Sequence, residues 1–68
     1  MVSVKINTEF IKLDQFLKWV GLVLTGADAK SIISNGLIRV NGEVETRRGR
    51  KLRLGDIVKL DNKEYIID

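Results

Sequence analysis

Arg47, Arg48, Arg50, Lys51 and Arg53 place five cations within seven residues around Gly49, with no acid among them. A guanidinium holds a phosphate through two parallel hydrogen bonds and also stacks on a base, whereas an ammonium acts as a point charge. Four arginines against one lysine therefore favour nucleic acid over a generic anionic surface. The twelve Lys and Arg outnumber the nine Asp and Glu, giving a net charge of +3, and without these five cations the balance is −2. The basicity is local. Neighbouring cations repel one another and a phosphate partner relieves that repulsion, while the bland reading is a solvated loop that aids solubility.

Catalysis has little to work with in this chain. It contains no His and no Cys, which removes the commonest general base, the thiol nucleophile, the usual metal ligands and any disulfide. Asp14, Asp28, Asp56 and the scattered glutamates form no paired-carboxylate motif, and no glycine-rich phosphate loop is present. The expectation is a protein that is not an enzyme, with no cofactor, no metal and no small-molecule substrate.

A chain of 68 residues has room for one domain, which buries only about 60% of the surface that its unfolded chain exposes. The alternation of Val2, Val4 and Ile6 with Ser3, Lys5 and Asn7 predicts an opening strand, suited to a sheet edge. Leu13, Phe16, Leu17 and Val20 form one stripe of a helix that Gly21 ends or loosens. Thr25 offers an N-cap hydroxyl, with Asp28 completing a capping-box variant. Ala29, Ile32 and Ile33 supply the apolar face of a second short helix, and Gly36 sits where a left-handed C-cap residue belongs.

Asn41-Gly42 between Leu37–Val40 and Glu43–Thr46 predicts a hairpin. A two-residue loop would put Glu43 and Glu45 on the face of Ile38 and Val40. A three-residue loop with Gly42 in a bulge instead pairs Ile38 with Val44 and Arg39 with Glu43, and it is the register we expect because it spares a buried acid. Leu54-Gly55-Asp56 reads as a turn, Ile57–Leu60 as a strand, Asp61-Asn62-Lys63 as a turn and Glu64–Ile67 as a closing strand. The fold class is α+β, a single domain over residues 1–68 with two short helices packed on a small antiparallel sheet.

Other residues are candidates beside the basic run. Lys12, Gln15 and Trp19 share about 60° of arc on the first helix. Trp19 is expected chiefly as a core-edge residue, with base stacking as the sharper alternative. Lys30 could join such a surface together with the amides that follow Thr25, or stand solvated. Arg39 is at least the cross-strand partner of Glu43. Asn41, Gly42 and Asp56 read first as turn formers, Asp56 through side-chain bonds to nearby backbone amides, and Gly49 as the residue that lets the basic segment turn.

Lys12-Leu13-Asp14, Phe16-Leu17, Ala29-Lys30, Ile33, Gly36, Val40-Asn41-Gly42 and Gly55-Asp56 occur in an order and spacing that resemble the S-four domain. That small RNA-binding module is named after a ribosomal small-subunit protein. The resemblance spans residues 11–59. Thr25-Gly26-Ala27 and Arg47-Arg48-Gly49-Arg50-Lys51-Leu52 look most like the small stand-alone, YaaA-type members. The resemblance implies the alpha-L motif, two helices on an antiparallel sheet, with RNA bound across the helix faces and the adjoining hairpin and loop. By position it implies an RNA-binding surface of Lys12, Gln15, Lys18, Lys30, Arg39, Arg47, Arg48, Arg50 and Lys51. Lys12 stands where many members carry arginine, and Thr25-Gly26 where many carry a Ser-Arg pair. The Arg47–Lys51 segment is the candidate to take over the missing cation's load.

The function expected from these observations is non-catalytic recognition of structured RNA, ribosomal RNA included, by shape and phosphate contacts. Base edges are hidden in the deep groove of duplex RNA, and a basic surface with few aromatics suits backbone contacts better than sequence reading. Two rivals stand beside it: a DNA-binding module resembling a helix-turn-helix, and an adaptor that docks a protein through an edge strand or the basic loop. The longest aliphatic stretch, Trp19–Leu24, is far short of the roughly 20 residues of a membrane span, and no signal-peptide pattern opens the chain. A soluble, cytoplasmic monomer without a membrane partner is expected.

Overall fold

In the computed structural model, which describes residues 1–68, the apolar stripe from Leu13 forms α1 (Leu13–Trp19), and Leu13, Phe16 and Leu17 are fully buried. α2 (Gly26–Ser34) opens on Thr25, whose Oγ1 accepts the Asp28 N–H at 3.1 Å. Only this half of the predicted capping box forms. The helix closes at Gly36, with φ +75°, where the Gly36 N–H donates to the Ile33 carbonyl at 3.1 Å and the Leu37 N–H to the Ile32 carbonyl at 3.3 Å. These two bonds are the Schellman pair, which needs a left-handed residue that glycine adopts without a steric cost. α1 ends in the same way at Gly21.

Seven strands accompany the helices: β1 (Val2–Val4), β2 (Ile11–Lys12), β3 (Ile38–Val40), β4 (Glu43–Val44), β5 (Lys51–Leu52), β6 (Ile57–Leu60) and β7 (Lys63–Ile67). Five of them form a sheet in the order β1-β7-β6-β3-β4, while β2 and β5 make a separate antiparallel pair. From β7 to β4 the sheet is antiparallel, as expected. β1 takes the edge position but runs parallel to β7, aligning Val2 with Tyr65 and Val4 with Ile67, so the complete sheet is mixed. Both helices lie on one face of it, where Phe16, Leu17, Ala29 and Ile33 pack against Ile38, Val40, Val58, Tyr65 and Ile67. The Phe16 and Tyr65 rings meet edge to face with centroids 6.0 Å apart, an arrangement favoured by their quadrupoles.

The β3–β4 hairpin does not take the bulged register. Arg39 aligns with Val44 and Val40 with Glu43 around a two-residue loop in which Asn41 has φ +53° and Gly42 φ +86°. Two successive left-handed residues define the type I′ turn, whose twist matches that of the flanking strands. Val44, expected inward, is therefore exposed, and Glu45, whose N–H donates to the Ile38 carbonyl at 2.9 Å, is turned inward. The pairing of Arg39 with Glu43 falls with the bulge. Arg39 lies between Val44 and Lys59 on the sheet face away from the helices, and its Nη1 donates to the Gly42 carbonyl at 3.1 Å.

A clasp fixes the turn. The Asn41 side-chain amide donates to Asp56 Oδ1 at 3.0 Å, and the Ile57 N–H donates to Asn41 Oδ1 at 2.9 Å. The Asn41 N–H in turn donates to the Ile57 carbonyl at 2.8 Å. Asp56 Oδ2 accepts the Arg53 N–H at 2.8 Å, the local backbone role expected of it. Asn41→Ala removes the amide bonds and places a residue less suited to positive φ, so it should lower stability by about 1–3 kcal/mol in urea denaturation. Asn41→Gly, which keeps the backbone freedom and loses only the amide, separates the two contributions. An unchanged midpoint in both variants would mean that the clasp contributes nothing.

Candidate nucleic-acid interface

Glu45 is the only charged residue that is buried, at 7% exposure, and five hydrogen bonds converge on its carboxylate. The Thr46 and Arg47 backbone N–H groups donate to Oε2 at 3.1 and 3.2 Å, and Arg47 Nε donates to Oε2 at 3.1 Å. Arg47 Nη2 and Arg50 Nη1 both donate to Oε1 at 2.9 Å. Arg47 thus grips the acid with two parallel bonds, the geometry that makes guanidinium–carboxylate pairs directional. The burial that an unpaired carboxylate would resist is compensated in this way. One negative charge sits under five positive ones, so the segment keeps a large cationic excess while two of its arginines are held in place.

A second set of contacts fixes the backbone of the same segment. The first N–H groups of α1 have no partner within the helix. The Leu13 N–H donates to the Arg50 carbonyl at 2.8 Å and the Asp14 N–H to the Arg48 carbonyl at 3.1 Å. Lys12, the N-cap residue, makes no side-chain cap bond and aligns with Lys51 across the β2–β5 pair. Leu52 next to it is fully buried, which anchors the end of the run. The predicted loop is therefore a strand-ended segment docked on a helix terminus. Two-residue strands offer no alternation to read, so β2 and β5 had no signal in the sequence.

Arg47, Gly49, Arg50 and Lys51 line an open concavity of about 500 Å³ that contains no apolar residue. Arg48 and Lys51 have no carboxylate partner, and Arg47 keeps 72% of its side chain exposed although it is paired. Gly49 differs from expectation, because its φ is not positive and a Cβ there would meet nothing within 4 Å. The turn does not require glycine, and its bare Cα leaves room at the rim of the concavity. Arg53 stands apart, paired with Glu9 at 3.3 Å with both side chains exposed, an interaction of little stabilising value.

Of the predicted surface, the structure brings Lys12, Arg47, Arg48, Arg50 and Lys51 together around the start of α1. Gln15 follows on the exposed side of that helix, and Lys18 and Lys30 are exposed on α1 and α2. Arg39 is the outlier, on the opposite face of the sheet. Trp19 is not a core-edge residue, being 68% exposed. Two residues escaped the sequence reading. The bulged register puts Glu45 on the outer side, whereas the observed one turns it inward. Phe10, whose ring lies 4.8 Å from Lys51 Nζ and 5.4 Å from Arg53 Cζ, carries no spacing signal that ties it to either cation.

Residues 4–68 match the family described as the S4 domain. The chain belongs to the S4 domain family. This S4 domain is 43% identical over 58 residues to the probable ribosome maturation protein RlbA of Bacillus subtilis (strain 168), covering 85% of this chain and 82% of that protein. It also matches the solution structure of YbcJ from E. coli, described as revealing an alphaL motif involved in RNA-binding. The TM-score is 0.73 and the identity 29%, across 98% of this chain and 86% of YbcJ. The 30S ribosomal protein S4e from Thermoplasma acidophilum shares the fold, with a TM-score of 0.65 and 17% identity, covering 88% of this chain and 32% of that one. Two segments that carry the S4 resemblance, Val40-Asn41-Gly42 and Gly55-Asp56, meet in the Asn41–Asp56 clasp.

The Glu45 carboxyl has its pKa lowered from 4.5 to about 2, first by the hydrogen bonds from Arg47, against the opposing effect of burial, and then by Arg50. With the folded-state value below the unfolded one, the unfolded chain binds more protons between them. The contribution to stability is complete above about pH 4.5 and fades as pH falls toward 2. The stability difference between the wild type and Glu45→Gln should accordingly shrink across that interval in urea titrations run at successive pH values. A difference that stays constant there would show that the ionised carboxylate is not what holds the two arginines.

Proposed function

We propose that this S4 domain is a non-catalytic module that binds structured RNA, ribosomal RNA in the first instance, through phosphate contacts and shape, acting as a cytoplasmic monomer. The observation that carries this is the cationic concavity lined by Arg47, Gly49, Arg50 and Lys51, with its guanidiniums oriented by Glu45 before any partner arrives. Preorganised cations lose less side-chain freedom on binding than free ones. Lys12 and Arg48 extend the rim, Gln15, Lys18 and Lys30 continue it along the helices, and Arg39 is reached only by an RNA that wraps the hairpin edge. The RlbA and YbcJ likenesses support the same direction.

A DNA-reading role for α2 is less well supported. A recognition helix must project polar side chains toward base edges. Here Ser34 Oγ donates to the Ser31 carbonyl at 3.3 Å and the Asn35 side-chain amide donates to Ser31 Oγ at 3.5 Å, so these groups are spent on their own helix.

Arg48 and Lys51 are the cations to remove, because neither belongs to the Glu45 cage. The double variant Arg48→Ala, Lys51→Ala should melt like the wild type. Its RNA affinity should be weaker, and the slope of log affinity against log salt should be shallower by about 1.5, as expected for two lost phosphate contacts. A flat salt titration of the wild type, duplex DNA outcompeting folded RNA, or capture from cell extract that survives ribonuclease would each contradict the proposal.

A further inference from the structure

A groove of about 250 Å³ runs between the 6–11 segment and the exposed side of α1. Phe10, Ile11 and Trp19 form its apolar wall, and Asn7 and Gln15 bring side-chain amides to it. The Thr8 hydroxyl in the same segment is committed to the Phe10 carbonyl at 2.9 Å, whereas the Asn7 and Gln15 amides have no partner within the protein. Trp19 lies at the last residue of α1, one turn beyond Gln15 on the same side of the helix. A tryptophan left 68% exposed on a domain this short of apolar surface is not serving the core.

The groove is continuous with the cationic segment. Its Phe10 wall is the ring that faces Lys51 Nζ at 4.8 Å and Arg53 Cζ at 5.4 Å, and Ile11 aligns with Leu52 in the β2–β5 pair. A strand whose phosphates lie over Lys51 therefore passes the mouth of the groove. An apolar side chain of a protein partner would leave the two amides unpaired and would gain nothing from the cations. A nucleobase has a π-face for the indole, a polar edge for the amides and a phosphate on either side for the cations.

We infer that this groove receives one unpaired nucleobase of the bound RNA, stacked on Trp19 with its edge toward Gln15 and Asn7. The inference rests on the RNA-binding reading and adds to it a site selective for an unstacked nucleotide beside a paired stem. Recognition is then not by backbone alone. The site takes a base that a bulge, loop or strand end exposes, and a continuous duplex cannot fill it.

Trp19 is the only tryptophan in the chain, so its fluorescence reports on the groove directly. Three RNA probes decide the matter: a short stem with one unpaired adenosine, the same stem fully paired, and the same stem with an abasic nucleotide in place of that adenosine. The adenosine-bearing stem should quench Trp19. Trp19→Ala should weaken its binding by roughly 5- to 150-fold, the value of one base–aromatic stack, while Trp19→Phe retains most of the affinity. The paired and abasic stems should bind the wild type and Trp19→Ala alike and leave the fluorescence unchanged. Equal quenching by the adenosine and abasic stems, or equal loss of affinity for all three on Trp19→Ala, would overturn the inference and leave RNA binding standing. Failure of the wild type to bind any of the stems at low salt would instead remove the reading on which it rests.

Discussion

The buried carboxylate of Glu45 is where the fold and the basic surface of this protein meet. Asn41 and Gly42 set a type I′ turn, the turn fixes the register of β3 on β4, and the register turns Glu45 inward. An acid in that position must be satisfied or protonated, and the groups within reach are two backbone amides and the guanidiniums of Arg47 and Arg50. Those bonds orient two of the five cations of the run. A choice made at a hairpin tip is thereby transmitted to side chains several residues downstream.

The same dependence explains why the basic segment can crowd like charges. Arg47, Arg48, Arg50, Lys51 and Arg53 repel one another, yet the backbone carbonyls of Arg48 and Arg50 cap α1 and Leu52 is fully buried. The repulsion is opposed by hydrogen bonds that the helix needs in any case and by apolar burial. The segment is therefore held from three sides: a carboxylate beneath it, a helix terminus beside it and a core residue at its end. Within that frame Arg48 and Lys51 have no carboxylate partner, and Lys51 Nζ faces only the Phe10 ring.

Much of this was legible in the sequence, and the parts that were not share a cause. The helix stripes, the N-cap at Thr25, the glycine at the end of each helix and the turns at Asn41-Gly42 and Gly55-Asp56 depend on neighbours a few residues away, which spacing reveals. The hairpin register is not legible in the sequence, because an inward Glu45 is unfavourable unless the arginines that satisfy it fold back onto it. β2 and β5 are too short to alternate, and the parallel pairing of β1 with β7 joins segments at opposite ends of the chain. Of the candidate site, composition located the cations and periodicity located Gln15 and Trp19. The concavity at Gly49 and the groove beside Phe10 exist only once β2 lies against β5.

The parallel edge also sets an order of events during synthesis. Val2–Val4 is made before the other elements described here, and its hydrogen-bonding partner, Lys63–Ile67, is made after them. Until then the opening strand has an unpaired edge, while α1, α2 and the β3–β4 hairpin can form from local contacts. Closure comes when the Asp68 N–H reaches the Val4 carbonyl at 2.8 Å and the Ile6 N–H the Asp68 carbonyl at 3.3 Å. The nascent domain is thus exposed to strand-pairing errors at its beginning for as long as its end is unfinished.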